Sequence, residues 1–148
     1  MTKTDTSGRK ALIYCRVAST TRALSDEGFS SQEQRCRDYA GQNGYTVDAV
    51  FEDHASGNEK ERPGVLAMLA HIREHQGTEY VVVIDDVARL ARSLVVHLQL
   101  RNEIAGAGAS LESPSFRFRE DPTSKCFEQF VVVVNQYQCE KQRVTKNA

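Results

Sequence analysis

Four arginines and one serine have the chemical character that a reaction at a phosphate group needs. They are Arg16, Ser19, Arg62, Arg89 and Arg92. Attack on a phosphodiester needs a nucleophile, which a serine hydroxyl can supply, and cations that stabilise the negative charge of the transition state. Guanidinium groups suit this task because one guanidinium can donate two parallel hydrogen bonds to two oxygens of the same phosphate. The residue types therefore predict nucleophilic chemistry at a phosphate.

The positions of these arginines along the chain strengthen the prediction. Arg16 directly follows an apolar run at residues 11–15, and Arg89 and Arg92 follow a second apolar run at residues 80–84. Because Arg89 and Arg92 are three residues apart, both side chains point the same way in a helical turn. An Arg-x-x-Arg pair by itself is more often a solvated helix surface with salt bridges. At the end of a buried strand, opposite Arg16, the pair indicates a phosphate clamp.

The composition limits the class of protein. The chain has 148 residues, enough for one domain with its own core, and a net charge of −1. That charge argues against a domain that binds DNA by bulk charge alone, but it allows a catalytic domain whose DNA affinity comes from a neighbouring domain. The four cysteines form no Cys-x-x-Cys pair, and no histidine stands at ligand spacing. We therefore expect no zinc site.

Nothing in the sequence predicts export or membrane insertion. Residues 1–10 are polar and lack the apolar stretch of a signal peptide. No apolar run reaches the roughly 18–20 residues of a membrane span. The cysteine usage fits a reducing compartment. We therefore expect a cytoplasmic protein that does not contact a membrane.

Apolar patterning and turn residues predict strands that alternate with helices. The predicted strands are 11–15, 45–51, 80–84 and 109–111. The predicted helices are 30–43, 63–76, 93–106 and one from Asp121-Pro122 to the chain end. We assign residues 1–10 to a disordered arm, 11–122 to a catalytic domain and 123–148 to the start of a long helix.

Individual side chains define the expected packing of the helices. Ser30 and Glu33 have the spacing of a capping box at the start of the first helix. The run Val131–Val134 has a high strand propensity, but the apolar positions around it keep a helical period, which predicts helix. The residues expected to face the core are Leu66, Leu69, Ile72, Leu94, Leu98 and Ile104. The apolar face expected to contact another copy is Phe127, Phe130, Val131 and Val134.

The alternation of elements predicts an α/β fold. We expect an open, mostly parallel sheet of four strands, or slightly more, with helices on both faces and a long C-terminal interface helix. In such sheets, ligands bind outside the carboxyl ends of the strands. The loops that leave those ends are 16–28, 52–62 and 85–92. Because these loops carry all four arginines, we expect the arginines to meet at one edge of the sheet.

Motifs in these loops resemble those of a known protein family. The segments are Tyr14-Cys15-Arg16-Val17-Ala18-Ser19-Thr20, Asp53-His54-Ala55-Ser56-Gly57, Glu61-Arg62-Pro63-Gly64 and Arg89-Leu90-Ala91-Arg92-Ser93. In order and spacing they are similar to the motifs of the catalytic domain of serine recombinases, the resolvase and invertase family, and of its large integrase-type members. The resemblance extends from residue 10 to residue 148.

The resemblance implies a mechanism and partners. In this family a serine attacks a DNA phosphate directly, forms a 5′-phosphoserine link and releases a 3′-hydroxyl, without metal or ATP. Carried over by position, Arg16, Arg62, Arg89 and Arg92 hold the scissile phosphate, and Gln32 orients neighbouring polar groups. The family also implies that the chain acts on DNA as a homodimer, which pairs into a tetramer through the last helix. The DNA-binding domain of such a recombinase is not part of this sequence.

The chain departs from the family pattern at two positions of the motifs. Ala18 stands where the family has its nucleophilic serine, directly after Arg16-Val17. Either the serine has been replaced by alanine, or the loop is shifted by one residue so that Ser19 attacks. Ala88 stands where the family has an aspartate, and Asp86, with its neighbour Asp85, is the nearest replacement.

Two other functions stay open at this stage. If Ala18 has removed the nucleophile, the chain is a recombinase-like module that associates with DNA but cannot cut it. Alternatively, Asp85 and Asp86 after a buried strand resemble the Mg²⁺-binding carboxylates of receiver-like phosphotransfer domains. That second function needs a further carboxylate at a neighbouring strand end, where this chain has Arg16 instead.

Overall fold

A computed structural model of the chain describes residues 8–17, 27–54 and 62–146. The two candidate nucleophile positions, Ala18 and Ser19, lie outside these ranges, as does most of the predicted N-terminal arm. Arg16, Arg62, Arg89 and Arg92 are all within them. The structure therefore tests how the cationic part of the predicted site is built.

The described strands form one parallel sheet, as predicted. They are β1 (Lys10–Val17), β2 (Thr46–His54), β3 (Tyr80–Ile84) and β4 (Ser110–Glu112). Their spatial order is β2-β1-β3-β4, and each neighbouring pair is parallel. The two central strands, β1 and β3, are buried over nearly their whole length. This is typical of a sheet that is covered on both faces.

Helices cover the two faces of the sheet. They are α1 (Glu27–Gln42), α2 (Pro63–Glu74), α3 (Val87–Leu90), α4 (Leu94–Gly106) and α5 (Pro122–Lys146). Ile13 and Cys15 of β1 pack with Cys36 of α1, whereas Leu12 and Tyr14 of β1 share a core with side chains of α2 and α4. Successive side chains of β1 therefore point to opposite faces of the sheet, as expected of a strand that lies between two layers of helices.

The strand order places a topological switch point between β1 and β3. From β1 the chain crosses to β2 on one side, whereas from β3 it crosses to β4 on the other side. The connections that follow β1 and β3 therefore lead to opposite sides of the sheet, and ligands bind at the carboxyl edge of such a switch point in sheets of this kind.

Three details of the helix predictions are wrong. The helix α1 begins at Glu27, so Ser30 and Glu33 lie inside it rather than at its start. Leu66 and Leu98 are 66% and 38% exposed instead of facing the core. In α2 the buried stripe is Val65, Met68, Leu69 and Ile72. That stripe keeps the helical period but is shifted by one residue, because the approach of α2 to β2 sets its rotation.

The start of α2 lies very close to the end of β2. The side chain of Asp53 in β2 accepts the backbone N–H groups of Gly64, at 2.7 Å, and Val65, at 3.1 Å. A Cβ atom on Gly64 would lie 2.5 Å from the carbonyl oxygen of Glu52. Only glycine allows this approach, through which a carboxylate on a strand caps the helix that follows.

The long helix α5 contacts its own domain through a stripe of residues four apart and through stacking of Phe127 on Phe116. Glu128 and Val132 are buried, and the amide oxygen of Gln136 accepts the N–H of Leu94 at 3.0 Å. His97, which is fully buried in α4, donates to Glu128, and Arg101 forms two hydrogen bonds to the same carboxylate. The sequence did not indicate this ion pair. The large apolar side chains exposed on α5 are Phe127, Phe130, Val133 and Tyr137, whereas Val131 and Val134, which were also expected on that face, are half-buried.

Two predictions about α5 can be compared with this structure. The run Val131–Val134 is helical, as its apolar period predicted. The carboxylate of Asp121 accepts the N–H of Ser124 at 2.9 Å, as expected of a residue at the start of α5. Within the described ranges, no helix is long and apolar enough to span a bilayer.

We predict that Gly64→Ala lowers the free energy of unfolding by about 2–3 kcal/mol, because the new methyl group overlaps a backbone oxygen that cannot move away. Gly41→Ala is the control, since a Cβ at that position of α1 meets no atom within 4 Å. There we expect a small gain in stability. Urea unfolding monitored by circular dichroism measures both changes. Equal effects of the two substitutions would contradict the close approach.

We predict that Glu128→Gln costs about 3 kcal/mol at neutral pH, because it removes the negative charge that the buried His97 and the half-buried Arg101 share and leaves Arg101, among the described residues, only the exposed Glu120. Burial by itself raises the pKa of Glu128, but the hydrogen bonds from His97 and Arg101 outweigh it and lower that pKa overall. A carboxyl group whose pKa is lower in the folded than in the unfolded state stabilises the fold at pH values above its unfolded-state pKa. This stabilisation is lost as the pH falls through the folded-state pKa.

The difference in unfolding free energy between the wild type and Glu128→Gln should therefore shrink below about pH 4. Urea titrations at several pH values measure it. The matched control is Glu103→Gln on the exposed face of α4. A pH-independent difference for Glu128→Gln, or one as small as that of the control, contradicts the stabilising ion pair.

Candidate active site

Three of the four predicted arginines meet at the carboxyl edge of the sheet. Arg16 is near the end of β1, Arg62 directly precedes α2 and Arg89 is in α3, after β3. The Nη2 atom of Arg62 donates to the carbonyl oxygen of Arg89 at 3.4 Å, and Nη1 of Arg89 donates to the carbonyl oxygen of Arg16 at 3.3 Å. Arg92 does not share a helical turn with Arg89 as expected, because α3 ends at Leu90 and Ala91 is extended; Arg92 is half-buried between α3 and α4. The edge is therefore strongly cationic.

Tyr14 and Asp53 hold Arg62 in place. The Nη2 atom of Arg62 donates to the hydroxyl of Tyr14 at 2.8 Å, and that hydroxyl donates to Asp53 Oδ2 at 2.8 Å. The Arg62 guanidinium also lies over the Tyr14 ring, 5.3 Å from its centroid. Burial raises the pKa of Tyr14, and the nearby Arg62 only partly offsets this. The phenol therefore stays protonated and links the cation to the buried carboxylate.

The guanidinium of Arg62 has hydrogen-bonding capacity that the described residues leave unused. Arg62 is only 6% exposed, and neither its Nε nor its Nη1 has a partner within the described part of the chain. The Nε of Arg89 is in the same situation. A buried donor without an acceptor costs about 1–3 kcal/mol, and more when it is charged. Such a set of donors suits an anion with several oxygens, and phosphate is the biological anion that fits it best.

Gln32 fixes the backbone at the end of β1. Its Oε1 accepts the N–H of Arg16 at 3.1 Å, and its Nε2 donates to the carbonyl oxygen of Arg16 at 3.0 Å. The same carbonyl accepts the hydrogen bond from Arg89. Gln32 is buried, so these contacts are shielded from water. The residue predicted to orient polar groups thus lies directly against the strand end that leads to positions 18 and 19.

The two aspartates after β3 make structural contacts. The carboxylate of Asp85 accepts two hydrogen bonds from Arg35, at 2.5 and 2.7 Å, and Asp86 caps α3 by accepting the N–H of Ala88 at 2.9 Å. The described residues contain no group of three or more side chains able to hold a metal ion. The contacts of Asp85 and Asp86 therefore do not favour the Mg²⁺-binding alternative. Asp86 is exposed at the start of α3.

Sequence reasoning missed the roles of Tyr14 and Asp53 in the site, although both stand in the quoted motifs. A signal for each was present. Tyr14 and Arg16 are two apart on a strand, so they share a face. A tyrosine in a buried strand needs a partner for its hydroxyl. Asp53 pairs in register with Arg16, but only the structure gives that register.

Comparisons with known proteins agree with this geometry. Residues 11–147 match the profile of the resolvase N-terminal domain. Among solved structures, the chain is similar to the C-terminal catalytic domain of ISC1926 TnpA, an IS607-like serine recombinase. That domain is 26% identical, with 85% of this chain and 80% of that chain covered, at a TM-score of 0.59.

Two further structures share the fold. The N-terminal catalytic domain of TP901-1 integrase is 24% identical over 90% of this chain and 98% of that chain, with a TM-score of 0.66. A resolvase family site-specific recombinase from Streptococcus pneumoniae is 18% identical over 93% and 94% of the two chains, also with a TM-score of 0.66. Since the family match spans nearly the whole chain and includes every segment of the cationic edge, the chain belongs to the serine recombinase (resolvase) family, as its catalytic domain.

Proposed function

We propose that the chain is the catalytic domain of a site-specific DNA recombinase that cuts and rejoins DNA through a 5′-phosphoserine intermediate, without metal or ATP. The observation that carries this proposal is Arg62. It is a buried guanidinium with two nitrogens that find no partner among residues 8–17, 27–54 and 62–146, next to Arg16 and Arg89 at the topological switch point. A scissile DNA phosphate supplies the oxygen acceptors that these donors lack.

The proposed reaction is a phosphoryl transfer to serine. The serine oxygen forms a bond to phosphorus, the bond from phosphorus to the 3′-oxygen breaks, and the serine proton ends on the released 3′-hydroxyl. The negative charge on the phosphorus-bound oxygens rises in the transition state, and the arginines stabilise it there. A preorganised donor of this kind is worth about 10²–10³ in rate. Rejoining runs the same steps in reverse on another DNA end.

The hydrogen-bonded pair of Tyr14 and Asp53 supports the proposed binding of the phosphate by Arg62 and its neighbouring arginines. It holds Arg62 from one side and leaves the Nε and Nη1 donors for the substrate. The negative charge of Asp53 also offsets part of the repulsion among the neighbouring arginines. A cationic pocket can therefore exist before DNA binds, so little reorganisation is needed at the moment of reaction.

The nucleophile is assigned to Ser19 or, if a family serine has been replaced, to position 18. The strand end before both positions is held by Gln32, whichever residue attacks. If neither Ser19 nor any other residue attacks, the chain is a DNA-associated module whose arginines can bind phosphate but which cannot cut DNA. The assignment of Arg92 and Asp86 to the site stays part of this proposal.

Self-association through α5 completes the proposal. The side chains of Phe127, Phe130, Val133 and Tyr137 are exposed on this helix. Together they form an apolar surface of the kind that contacts a second copy, first in a dimer and then in a tetramer on DNA. The described cysteines are free thiols, which fits the reducing cytoplasm in which we place the reaction.

We predict that a covalent trap identifies the nucleophile. The chain is incubated with a pool of nicked DNA duplexes, in which release of a short strand prevents rejoining, and the adduct is mapped by mass spectrometry. The shifted loop predicts an adduct on Ser19 that Ser19→Ala abolishes. The replaced nucleophile predicts no adduct in the native chain and an adduct on residue 18 in Ala18→Ser. Failure of both proteins to form an adduct, while DNA binding persists, contradicts the covalent mechanism.

We predict that Arg62→Met slows adduct formation about 10²–10³-fold in whichever protein reacts. The same change should not lower the free energy of unfolding, because it removes a buried charge whose donors are only partly satisfied. Adduct rates and urea unfolding measure the two effects. Arg73→Met on the exposed face of α2 is the matched control, with an unchanged rate expected. An equal loss of rate in both variants contradicts the clamp.

A further inference from the structure

The turn between β3 and α3 lies just beyond the hydrogen-bonded ladder of the sheet. The pairing of β3 with β1 ends at Ile84, which pairs with Tyr14, and the pairing of β3 with β4 ends at Val83. Asp85 follows directly, is only 7% exposed and precedes the residue that caps α3. Because α3 carries Arg89, the contacts that hold this turn also determine where that arginine lies.

Two hydroxyl groups fix the backbone of Asp85. The side chains of Ser113, at 3.0 Å, and Ser115, at 2.6 Å, both donate to its carbonyl oxygen. Both serines belong to the segment that follows β4, and the Oγ of Ser113 also accepts the N–H of Ser115 at 3.1 Å. These contacts use the backbone oxygen of Asp85, so its carboxylate remains available to a different element.

The carboxylate of Asp85 is bound by α1. The Nε and Nη2 atoms of Arg35 donate to its two oxygens, at 2.5 and 2.7 Å. A bidentate pair of this kind fixes the angle of a contact as well as its length. Only 10% of the Asp85 side chain is exposed, so the carboxylate is largely shielded from water, whereas 53% of the Arg35 side chain is exposed. The contact therefore sets where the turn after β3 lies relative to α1.

Arg35 belongs to a stripe of polar side chains on α1. Gln32, three residues earlier, holds the backbone of Arg16 at the end of β1. Tyr39, four residues later, donates to the carboxylate of Glu112 at the end of β4, at 2.7 Å. Residues three and four apart lie on one side of a helix. One side of α1 thus contacts the ends of β1 and β4 and the turn that follows β3.

We infer that Arg35 is a positioning residue, which together with Gln32 sets the distance between the end of β1 and the start of α3. Arg16 lies at the first of these places and Arg89 at the second, so α1 fixes the separation of two of the proposed phosphate-binding arginines. The direct hydrogen bond from Arg89 to the carbonyl oxygen of Arg16 is long, at 3.3 Å, and is the weaker constraint. The inference rests on the proposed function for its catalytic consequence only.

Hydrogen exchange tests this role without any assay of activity. In Arg35→Met we expect the amides of residues 85–90 to exchange about fivefold faster, from the loss of one partly exposed ion pair. Arg37→Met is the matched control, because Arg37 lies on the same helix but pairs with Glu33 of that helix, at 2.7 Å. That variant should leave residues 85–90 unchanged. Equal effects of the two variants, or faster exchange confined to α1, overturn the inference.

A double-mutant cycle tests whether Arg35 acts through Asp85. Asp85→Asn should also raise exchange in residues 85–90, because it weakens the same bidentate contact. The double variant Arg35→Met/Asp85→Asn should exchange no faster than the more affected single variant, since residues that act as one pair are not additive. Additive effects of the two substitutions mean that Arg35 acts on this turn through another contact, and they overturn the inference.

The covalent-trap assay tests the catalytic consequence at saturating DNA, in whichever protein reacts. Arg35→Met should slow adduct formation several-fold, with the same DNA affinity as Arg37→Met, whose rate should match the parent chain. Arg35→Lys keeps the charge but not the rigid pair of donors, so it should recover only part of the rate. An unchanged rate in Arg35→Met, or full recovery in Arg35→Lys, overturns the positioning role. If neither the parent chain nor Ala18→Ser forms an adduct, the proposed function fails, and the exchange experiments still decide whether Arg35 positions the turn.

Discussion

The hydrogen-bonded chain from Asp53 through Tyr14 to Arg62 is the interaction on which the candidate site depends. Arginines gathered at one sheet edge repel one another, and this chain brings a buried negative charge next to them. The same carboxylate caps α2 through Gly64 and Val65. One side chain therefore fixes both the cation and the helix that begins directly after it. Loss of the carboxylate removes the counter-charge and the cap together, so the site and the fold cannot be separated here.

Burial is the feature of Arg62 on which the proposed phosphate binding depends. Arg62 is only 6% exposed, and the described residues leave two of its nitrogens without a partner. A fully satisfied guanidinium is a structural ion pair, and an exposed one is bound to water. Among the described residues Arg62 is neither, and under the proposed function a bound phosphate removes the free-energy cost of its unpaired donors. Such an arrangement matches the preorganisation that a transition state with growing negative charge requires.

The sequence was sufficient for the features that depend on local pattern. Apolar runs and loop positions were enough to predict four parallel strands with a buried centre. They were also enough to predict that Arg16, Arg62 and Arg89 lie at the same edge of the sheet. The features that it did not reveal depend on contacts between distant residues. The rotation of α2, which exposes Leu66, is set by the approach to β2, and the burial of His97 depends on Glu128, which is 31 residues away. The spacing of apolar residues along the sequence gives no information about partners that are so distant in the chain. Positions 18 and 19 lie outside the described residues, so the choice of nucleophile still rests on the sequence.

The helix α5 departs from the usual distribution of polar and apolar side chains between the buried and exposed sides of a surface helix. A surface helix normally buries its apolar side chains and exposes its polar ones. Here the residues of α5 that bind α4 include Glu128 and Gln136, whereas large apolar side chains such as Phe130 remain exposed. Val132 is buried, so only part of the hydrophobic gain of this helix is realised within one chain. Under the proposed self-association, a second copy covers the exposed side chains and supplies the rest. The polar contacts then fix the direction of the helix, and the apolar contacts supply the energy of association.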